Sequence, residues 1–118
     1  EQLKSSPYIS EAVLFGDEQD VITALIVPNF EQTREWAKMQ GLLVQSDAEL
    51  VALPEVKQLM KQEIDRLTTH LAEFEKVRRF TLLDHPFSIE TGELTPTLKV
   101  RRHFIKQRYA KELEAMRR

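Results

Sequence analysis

One stretch of the chain, residues 90–102, holds the residue types that could act on a charged substrate. It places Lys99 beside a predicted helix start, behind a glycine turn and a proline-stiffened loop. A lysine at a loop tip can extend its ammonium into a neighbouring cleft, where it stabilises negative charge developing on a phosphate or carboxylate oxygen. The residues alone leave open the alternative that Lys99 is an ordinary solvated lysine. The residues expected to shape the loop are Gly92, Thr95, Pro96 and Thr97.

No second set of residues has the spacing of a catalytic or metal site. His70, His85 and His103 are scattered, and no pair of them has metal-ligand spacing. No Gly-x-Ser-x-Gly elbow is present, and 3 glycines are too few for a phosphate-cradling loop or a dinucleotide fingerprint. The absence of cysteine excludes disulfides, thiolate zinc sites and cysteine nucleophiles. The sequence therefore predicts no metal site and an incomplete active site.

Three strands are predicted to form the sheet. Residues 11–15 and 21–28 are apolar and β-branched, and they flank a polar turn at residues 16–20. Because they are close in sequence, we expect them to pair as an antiparallel hairpin. A third strand is predicted at about residues 79–83.

Helices are predicted in the remaining segments. Asn29 with Gln32 opens a helix that Gly41 ends, and Ser46 with Glu49 forms a second capping pattern before a short turn. An apolar stripe of steps of three and four predicts a long helix over residues 54–74, and a last helix runs from about residue 98 to the end. We expect an α+β fold: a small antiparallel sheet of about three strands with helices packed on one face.

Composition fits one globular domain, and its charge is unevenly distributed along the chain. The 118 residues are 42% apolar and 31% charged, with a net charge of −2. The last twenty residues carry 8 Lys/Arg and 2 Glu, whereas the preceding 98 carry 9 Lys/Arg and 17 Asp/Glu. A basic end on an acidic body indicates contact with phosphates, an anionic surface or an acidic partner, or else a solvated helix face.

The lysine segment resembles a known motif. Residues 92–102 resemble the last core motif of AMP-forming long-chain acyl-CoA synthetases, which belong to the adenylate-forming superfamily. Residues 6–17, 24–30 and 80–88 also resemble successive parts of that family's C-terminal domain, so the likeness spans nearly the whole chain. The resemblance implies that residues 1–118 are the mobile C-terminal domain of a fatty-acid–CoA ligase, without its large N-terminal domain.

Residue roles follow from the resemblance at the matching positions. It implies that Lys99 contacts the acid's carboxylate and the nucleotide's α-phosphate during acyl-adenylate formation. It implies that a rotated domain then helps bind CoA, for which Arg101 and Arg102 are candidates, although either could be a surface charge. One departure concerns Leu98, because the wider superfamily usually has glycine directly before the lysine. We expect no catalysis from this domain alone.

The resemblance also implies the setting. No cofactor is expected in this domain, while the whole ligase would use ATP, Mg²⁺ and CoA. Its partners would be the large N-terminal domain, the fatty acid, ATP and CoA. The protein would be cytoplasmic, a location compatible with peripheral membrane association. The alternative function is a non-catalytic module that binds an anionic surface or partner through the basic last helix. Nucleic acid is not expected, because the body is acidic and no aromatics interleave with the basic residues.

Overall fold

The most apolar segment of the chain forms the central strand of the sheet. The computed structural model describes residues 2–16 and 21–117, and most of the polar turn predicted at residues 16–20 lies outside those ranges. Strand β1 spans Ile9–Phe15, β2 spans Ile22–Pro28 and β3 spans Val77–Leu82, in the order β1-β2-β3. The α+β class and the three strands are confirmed.

The sheet is mixed, so the prediction of an antiparallel sheet is wrong for β3. β1 pairs antiparallel with β2, with Val13 opposite Leu25, as expected for strands joined by a short connection. β3 pairs parallel with β2, with Thr81 opposite Leu25. The intervening segment passes through three α-helices and a short 3₁₀-helix (Glu73–Glu75), and such a long crossover brings the next strand back in the same direction.

Those three helices are α1 (Phe30–Met39), α2 (Asp47–Ala52) and α3 (Pro54–Leu67). The predicted caps are present: Asn29 accepts a hydrogen bond from the amide of Gln32, and Ser46 accepts one from that of Glu49. The prediction that α3 continues to residue 74 is wrong. The Thr68 hydroxyl donates to the carbonyl of Ile64 at 2.7 Å. Threonine side chains can bond to the backbone in this way, and such bonds compete with continuation of the helix.

The sheet is buried on both faces, so the expectation of helices on one face is also wrong. Alternate residues of β2 enter two separate cores, because neighbouring side chains of a strand point to opposite faces. Ala24 and Ile26 lie with α1, α2 and α3 in the first core, whereas Leu25 and Val27 lie in a second core with the C-terminal helices. An unbroken apolar run is typical of a strand covered on both sides.

The C-terminal segment forms two short helices, α4 (Arg102–Arg108) and α5 (Ala110–Met116). The predicted single helix from residue 98 therefore begins four residues too early and is interrupted at Tyr109. Of the apolar positions that the sequence predicts to be buried in this helix, Ile105, Tyr109, Leu113 and Met116 lie in the second core, whereas Phe104 is only half-buried. Within the described ranges, no helix combines the length and the apolar character needed to cross a membrane.

Burial on both faces predicts that two adjacent β2 residues are both costly to truncate. Leu25→Ala and Ile26→Ala should each lower the free energy of unfolding by about 2–5 kcal/mol, because each removes a fully buried side chain from a different core. Leu43→Ala is the control, since this side chain is 87% exposed, and it should change stability by less than about 0.5 kcal/mol. Urea denaturation measures all three, and a near-neutral result for either β2 variant would contradict the two-core arrangement.

Candidate functional site

Lys99 lies in a small β-hairpin that we call the Lys99 hairpin, residues 93–101. Leu94 and Val100 form an isolated antiparallel bridge. The amide of Thr95 donates to the carbonyl of Lys99 at 2.8 Å, and that of Arg101 donates to the carbonyl of Glu93 at 2.9 Å. The lysine is thus part of a closed two-stranded unit that precedes α4.

The hairpin tip is a tight turn braced by side chains. The amide of Leu98 donates to the carbonyl of Thr95 at 2.8 Å, with Pro96 in the second position, where its fixed φ suits the turn. The Thr95 hydroxyl accepts a hydrogen bond from the amide of Lys99 at 3.0 Å and lies 3.1 Å from the Thr97 hydroxyl. Three of the residues expected to shape the loop, Thr95, Pro96 and Thr97, lie in this turn, whereas Gly92 lies in a separate turn before the hairpin, where its amide donates to the carbonyl of Ile89.

Leu98 ends the turn in the left-handed region, with φ of 66°. A turn followed by a left-handed residue is the usual connection of a hairpin with a three-residue loop, and glycine suits that residue best. This conformation explains why the predicted helix does not begin at residue 98.

The side chain of Lys99 is exposed at the end of this unit. Among the described residues, nothing forms a hydrogen bond or ion pair with its ammonium. A lysine with a hydrogen-bonded backbone and an ammonium that no described residue pairs with can carry a positive charge to a group outside its own domain.

Arg101 turns back onto the start of the segment. Its Nη1 donates to the carbonyl of Gly92 at 3.0 Å, and its guanidinium lies 5.3 Å from the ring centroid of Phe104. Gly92 has φ of 86°, and a Cβ added there would be 3.1 Å from the Phe104 ring. A side chain at position 92 would therefore be both strained and crowded.

Arg102 contacts a different part of the surface. Its guanidinium lies 4.5 Å from the ring centroid of Phe15 at the end of β1. Together with Gly16 and Lys106 these residues line a shallow cavity. The structure thus separates the two arginines that the sequence pairs, and the role of each in binding CoA stays a prediction.

A buried carboxylate that sequence reasoning missed lies at the base of the hairpin. Glu93 is fully buried. Its Oε1 accepts hydrogen bonds from the Thr91 hydroxyl at 2.7 Å and the Ser88 amide at 3.3 Å. Its Oε2 accepts a hydrogen bond from the Tyr109 hydroxyl and lies 3.2 Å from Nε of Arg108. A glutamate in a polar loop gives no sequence signal of burial.

The surroundings of Glu93 favour its ionised form. Burial opposes ionisation, yet hydrogen bonds from Tyr109, Thr91 and His85 hold the pKa of Glu93 below its usual value of 4.5. Burial and the hydrogen bond to Glu93 together raise the pKa of Tyr109 to about 12. At neutral pH the pair is therefore a carboxylate and a protonated phenol.

The three histidines do not form a site. His85 lies 2.9 Å from the Tyr109 hydroxyl and 3.5 Å from Oε2 of Glu93, and His103 lies near Gln107 on α4. Within residues 2–16 and 21–117, no group of three or more His, Cys, Asp or Glu side chains could hold a metal ion.

Solved structures with the same arrangement are adenylation domains. The chain superposes on the adenylation domain of a carboxylate reductase from Mycobacterium chelonae with a TM-score of 0.75 at 23% identity, covering 98% of this chain and 16% of that one. It superposes on the adenylation and carrier-protein didomain of a carboxylic acid reductase from Segniliparus rugosus, in complex with AMP, with a TM-score of 0.74. That match has 25% identity and covers 97% of this chain and 14% of that one. The fold is that of the C-terminal part of an adenylation domain.

The sequence comparison gives the family. The profile of the AMP-binding enzyme C-terminal domain matches residues 1–118, and the chain belongs to that family. It is 31% identical over 117 residues to a long-chain-fatty-acid–CoA ligase of Mycobacterium tuberculosis, covering 98% of this chain and 20% of the relative. It is 30% identical over 115 residues to human long-chain-fatty-acid–CoA ligase 1, covering 95% of this chain and 16% of the relative. The chain thus spans a fifth or less of these ligases.

Because the backbone of Leu98 is left-handed, we predict that glycine at this position gives a more stable protein than alanine, the reverse of the usual order. Leu98→Gly should be more stable than Leu98→Ala by about 1 kcal/mol, because a Cβ is strained at this φ. The side chain is 66% exposed, so little packing is lost in either variant. Urea denaturation measures the difference. The control pair is Thr69→Gly and Thr69→Ala, at a position that follows α3. An alanine variant at position 98 that matches or exceeds the glycine variant would contradict the left-handed assignment.

The ionised state of Glu93 predicts a pH-dependent contribution to stability. Because the pKa of Glu93 is lowered on folding, its contribution is present above the unfolded value of 4.5 and is lost as the pH falls through the folded pKa. Glu93→Gln should reduce the unfolding free energy by about 1–3 kcal/mol at neutral pH, and this difference should shrink below pH 4.5. Denaturation at a series of pH values measures it. The cost of Leu25→Ala, which removes no titratable group, should stay constant, and a constant cost for Glu93→Gln would refute the assignment.

Proposed function

We propose that the chain is the C-terminal domain of a long-chain fatty-acid–CoA ligase and that it supplies Lys99 for ATP-dependent acyl-adenylate formation. The observation that carries the proposal is the family match over residues 1–118, joined to curated relatives that are named as such ligases. The hairpin geometry supports the role of Lys99. Its ammonium is exposed at a braced tip, and no described residue neutralises it.

In the proposed reaction, a fatty-acid carboxylate oxygen attacks the α-phosphorus of ATP, the bond to the α,β-bridging oxygen breaks, and acyl-adenylate forms as pyrophosphate leaves. The carboxylate and the phosphate both carry negative charge, and further charge develops on the phosphate oxygens in the transition state. An ammonium held within contact distance lowers the energy of that state electrostatically. Because Lys99 is held by its backbone, the ligase does not have to order a flexible loop at the moment of reaction.

The other substrates belong to the remainder of the proposed ligase. ATP, the fatty acid and Mg²⁺ would be bound by the large N-terminal domain. The donor set described here does not fit Mg²⁺, because no group of acidic or histidine side chains within the described ranges could hold a metal ion. No step of the mechanism in this domain is therefore assigned to a metal.

After adenylation, the domain would rotate so that another face helps bind CoA for thioester formation. The contacts of Arg102 make it the better placed of the two predicted arginines. It lines an open cavity beside Lys106, whereas Arg101 is engaged with Gly92. Alternating placements of one rigid body require a hairpin that keeps its shape in both.

CoA is favoured as the acceptor over a carrier protein. The curated relatives at 30–31% identity are named fatty-acid–CoA ligases, whereas the carboxylate reductase from M. chelonae, at 23% identity, indicates the fold alone. As part of the same proposal, the ligase works in the cytoplasm, a location compatible with peripheral association at a membrane.

The proposal predicts that the two half-reactions respond differently to Lys99→Ala in the full-length ligase. Acyl-adenylate formation should fall by about 100-fold to 1,000-fold, because one preorganised charge is removed from the transition state. Conversion of supplied acyl-adenylate to acyl-CoA should change far less. Pyrophosphate release measures the first step, and thioester formation measures the second.

Lys57→Ala provides the matched control. Lys57 is an exposed lysine of α3 in the other helical layer, and its removal should leave both half-reactions unchanged. Equal loss in both half-reactions for Lys99→Ala would refute the assigned role. Undiminished adenylation would refute it as well.

A further inference from the structure

We propose that Glu93 is a positioning residue for Lys99, because its buried carboxylate joins the Lys99 hairpin to the two segments on which the hairpin rests. This inference rests on the proposed function, in which Lys99 acts at a site outside its own domain. Glu93 itself touches no substrate in this scheme, since its side chain is fully buried.

The two carboxylate oxygens bind two different parts of the fold. Oε1 receives the Thr91 hydroxyl and the Ser88 amide, both in the loop that leads into the hairpin. Oε2 receives the Tyr109 hydroxyl and faces Nε of Arg108, both at the junction of α4 and α5, and it also lies 3.5 Å from Nε2 of His85 in the segment after β3. One side chain therefore spans the entry loop of the hairpin and the helices that follow it.

The backbone of the same residue closes the hairpin. The carbonyl of Glu93 accepts the amide of Arg101, at the point where the second hairpin strand leads into α4. The side chain and the backbone of Glu93 thus fix both ends of the hairpin base. The apolar neighbours Leu94 and Val100 pack against the second core, but apolar packing sets direction less strictly than several hydrogen bonds to one carboxylate.

The chemistry of the site requires a carboxylate at this position. Both oxygens act as acceptors, and an ionised carboxylate can satisfy donors on both sides. A glutamine has one oxygen and one NH₂ group, so it can accept on one side only and would place a donor against the opposing donors. Glu93→Gln therefore keeps the volume of the side chain while it releases either the entry loop or the helix junction.

The consequence for Lys99 is a change of position rather than of charge. Position 99 lies beyond the hairpin base, so a small rotation at residue 93 becomes a larger displacement of the ammonium. A displacement of 1 Å at a reacting centre can reduce a rate by about 100-fold. A positioning role therefore predicts loss in the half-reaction that uses Lys99 and little loss in the half-reaction that does not.

The test is a double-mutant cycle between positions 93 and 99 in the full-length ligase. Glu93→Gln alone should slow acyl-adenylate formation by about 10-fold to 100-fold, while thioester formation from supplied acyl-adenylate stays within about 3-fold of the parent rate. In the Lys99→Ala background the same change should cost less than about 2-fold in adenylation, because the group that it positions is gone.

Two further variants keep the test decisive. Tyr109→Phe is the alternative variant if Glu93→Gln folds poorly. It removes one hydrogen bond to Oε2 and leaves the charge of Glu93, so it should show the same half-reaction pattern with a smaller loss. Glu63→Gln is the control. Glu63 also has a lowered pKa and accepts hydrogen bonds from Ser6 and Arg66, but it lies on α3, which packs in the first core. Glu63→Gln should therefore leave the ratio of the adenylation rate to the thioester-formation rate unchanged.

The possible outcomes separate the two proposals. If Glu93→Gln and Tyr109→Phe slow both half-reactions equally, or if their losses multiply with that of Lys99→Ala, the positioning role is refuted while the role of Lys99 stands. If Lys99→Ala itself leaves adenylation unchanged, the proposed function fails first. A selective loss that disappears in the Lys99→Ala background supports both.

Discussion

The position of the exposed lysine depends on one buried carboxylate. Glu93 holds the entry loop with one oxygen and the junction of α4 and α5 with the other, and its carbonyl closes the hairpin. Burying an ionised carboxylate is costly unless its hydrogen-bonding capacity is met, and here several donors surround it. The same donors that make the burial tolerable also tie separate segments together, so the electrostatic requirement of one residue determines the geometry of the site.

That arrangement is possible because the sheet is covered on both faces. The second core, formed by β1, β2, the segment that follows β3 and the C-terminal helices, supplies the surface against which the hairpin lies. With helices on one face only, Tyr109 and Arg108 would have nowhere to meet the carboxylate. The parallel pairing of β3 has a related effect, since the chain leaves β3 after Leu82, enters the second core at Leu83 and then leads to the loop at Ser88.

The sequence predicted the local features well and the long-range ones poorly. The caps at Asn29 and Ser46 and the strand β2 follow from residue types and short-range periodicity, and they are confirmed. The direction of β3 and the second covered face depend on how distant segments meet, which periodicity does not encode. The continuous apolar run of β2 was a usable signal for burial on both faces.

The same division holds at the candidate site. The exposed Lys99 and its stiff turn could be located from the glycine, proline and threonines around it. The Glu93 network could not, because its partners Ser88, Arg108 and Tyr109 are as many as sixteen residues away in the sequence.

The stop of α3 at Leu67 was missed for a simpler reason. An apolar stripe continues past it, while the competing hydrogen bond of Thr68 depends on a side-chain rotamer.

Leu98 shows how the tip combines strain with stiffness. Its positive φ costs about 1 kcal/mol or more, and its side chain is too exposed to offset this by packing within the domain. A glycine would remove the strain, but it would also widen the range of conformations open to the residue before Lys99. With Pro96 fixed in φ and the Thr95 hydroxyl bound to the Lys99 amide, a leucine at this position leaves the turn few alternatives. Conformational entropy that the tip loses on folding does not have to be lost again in the proposed contact of Lys99 with the reacting groups, which is the physical advantage of a preorganised charge.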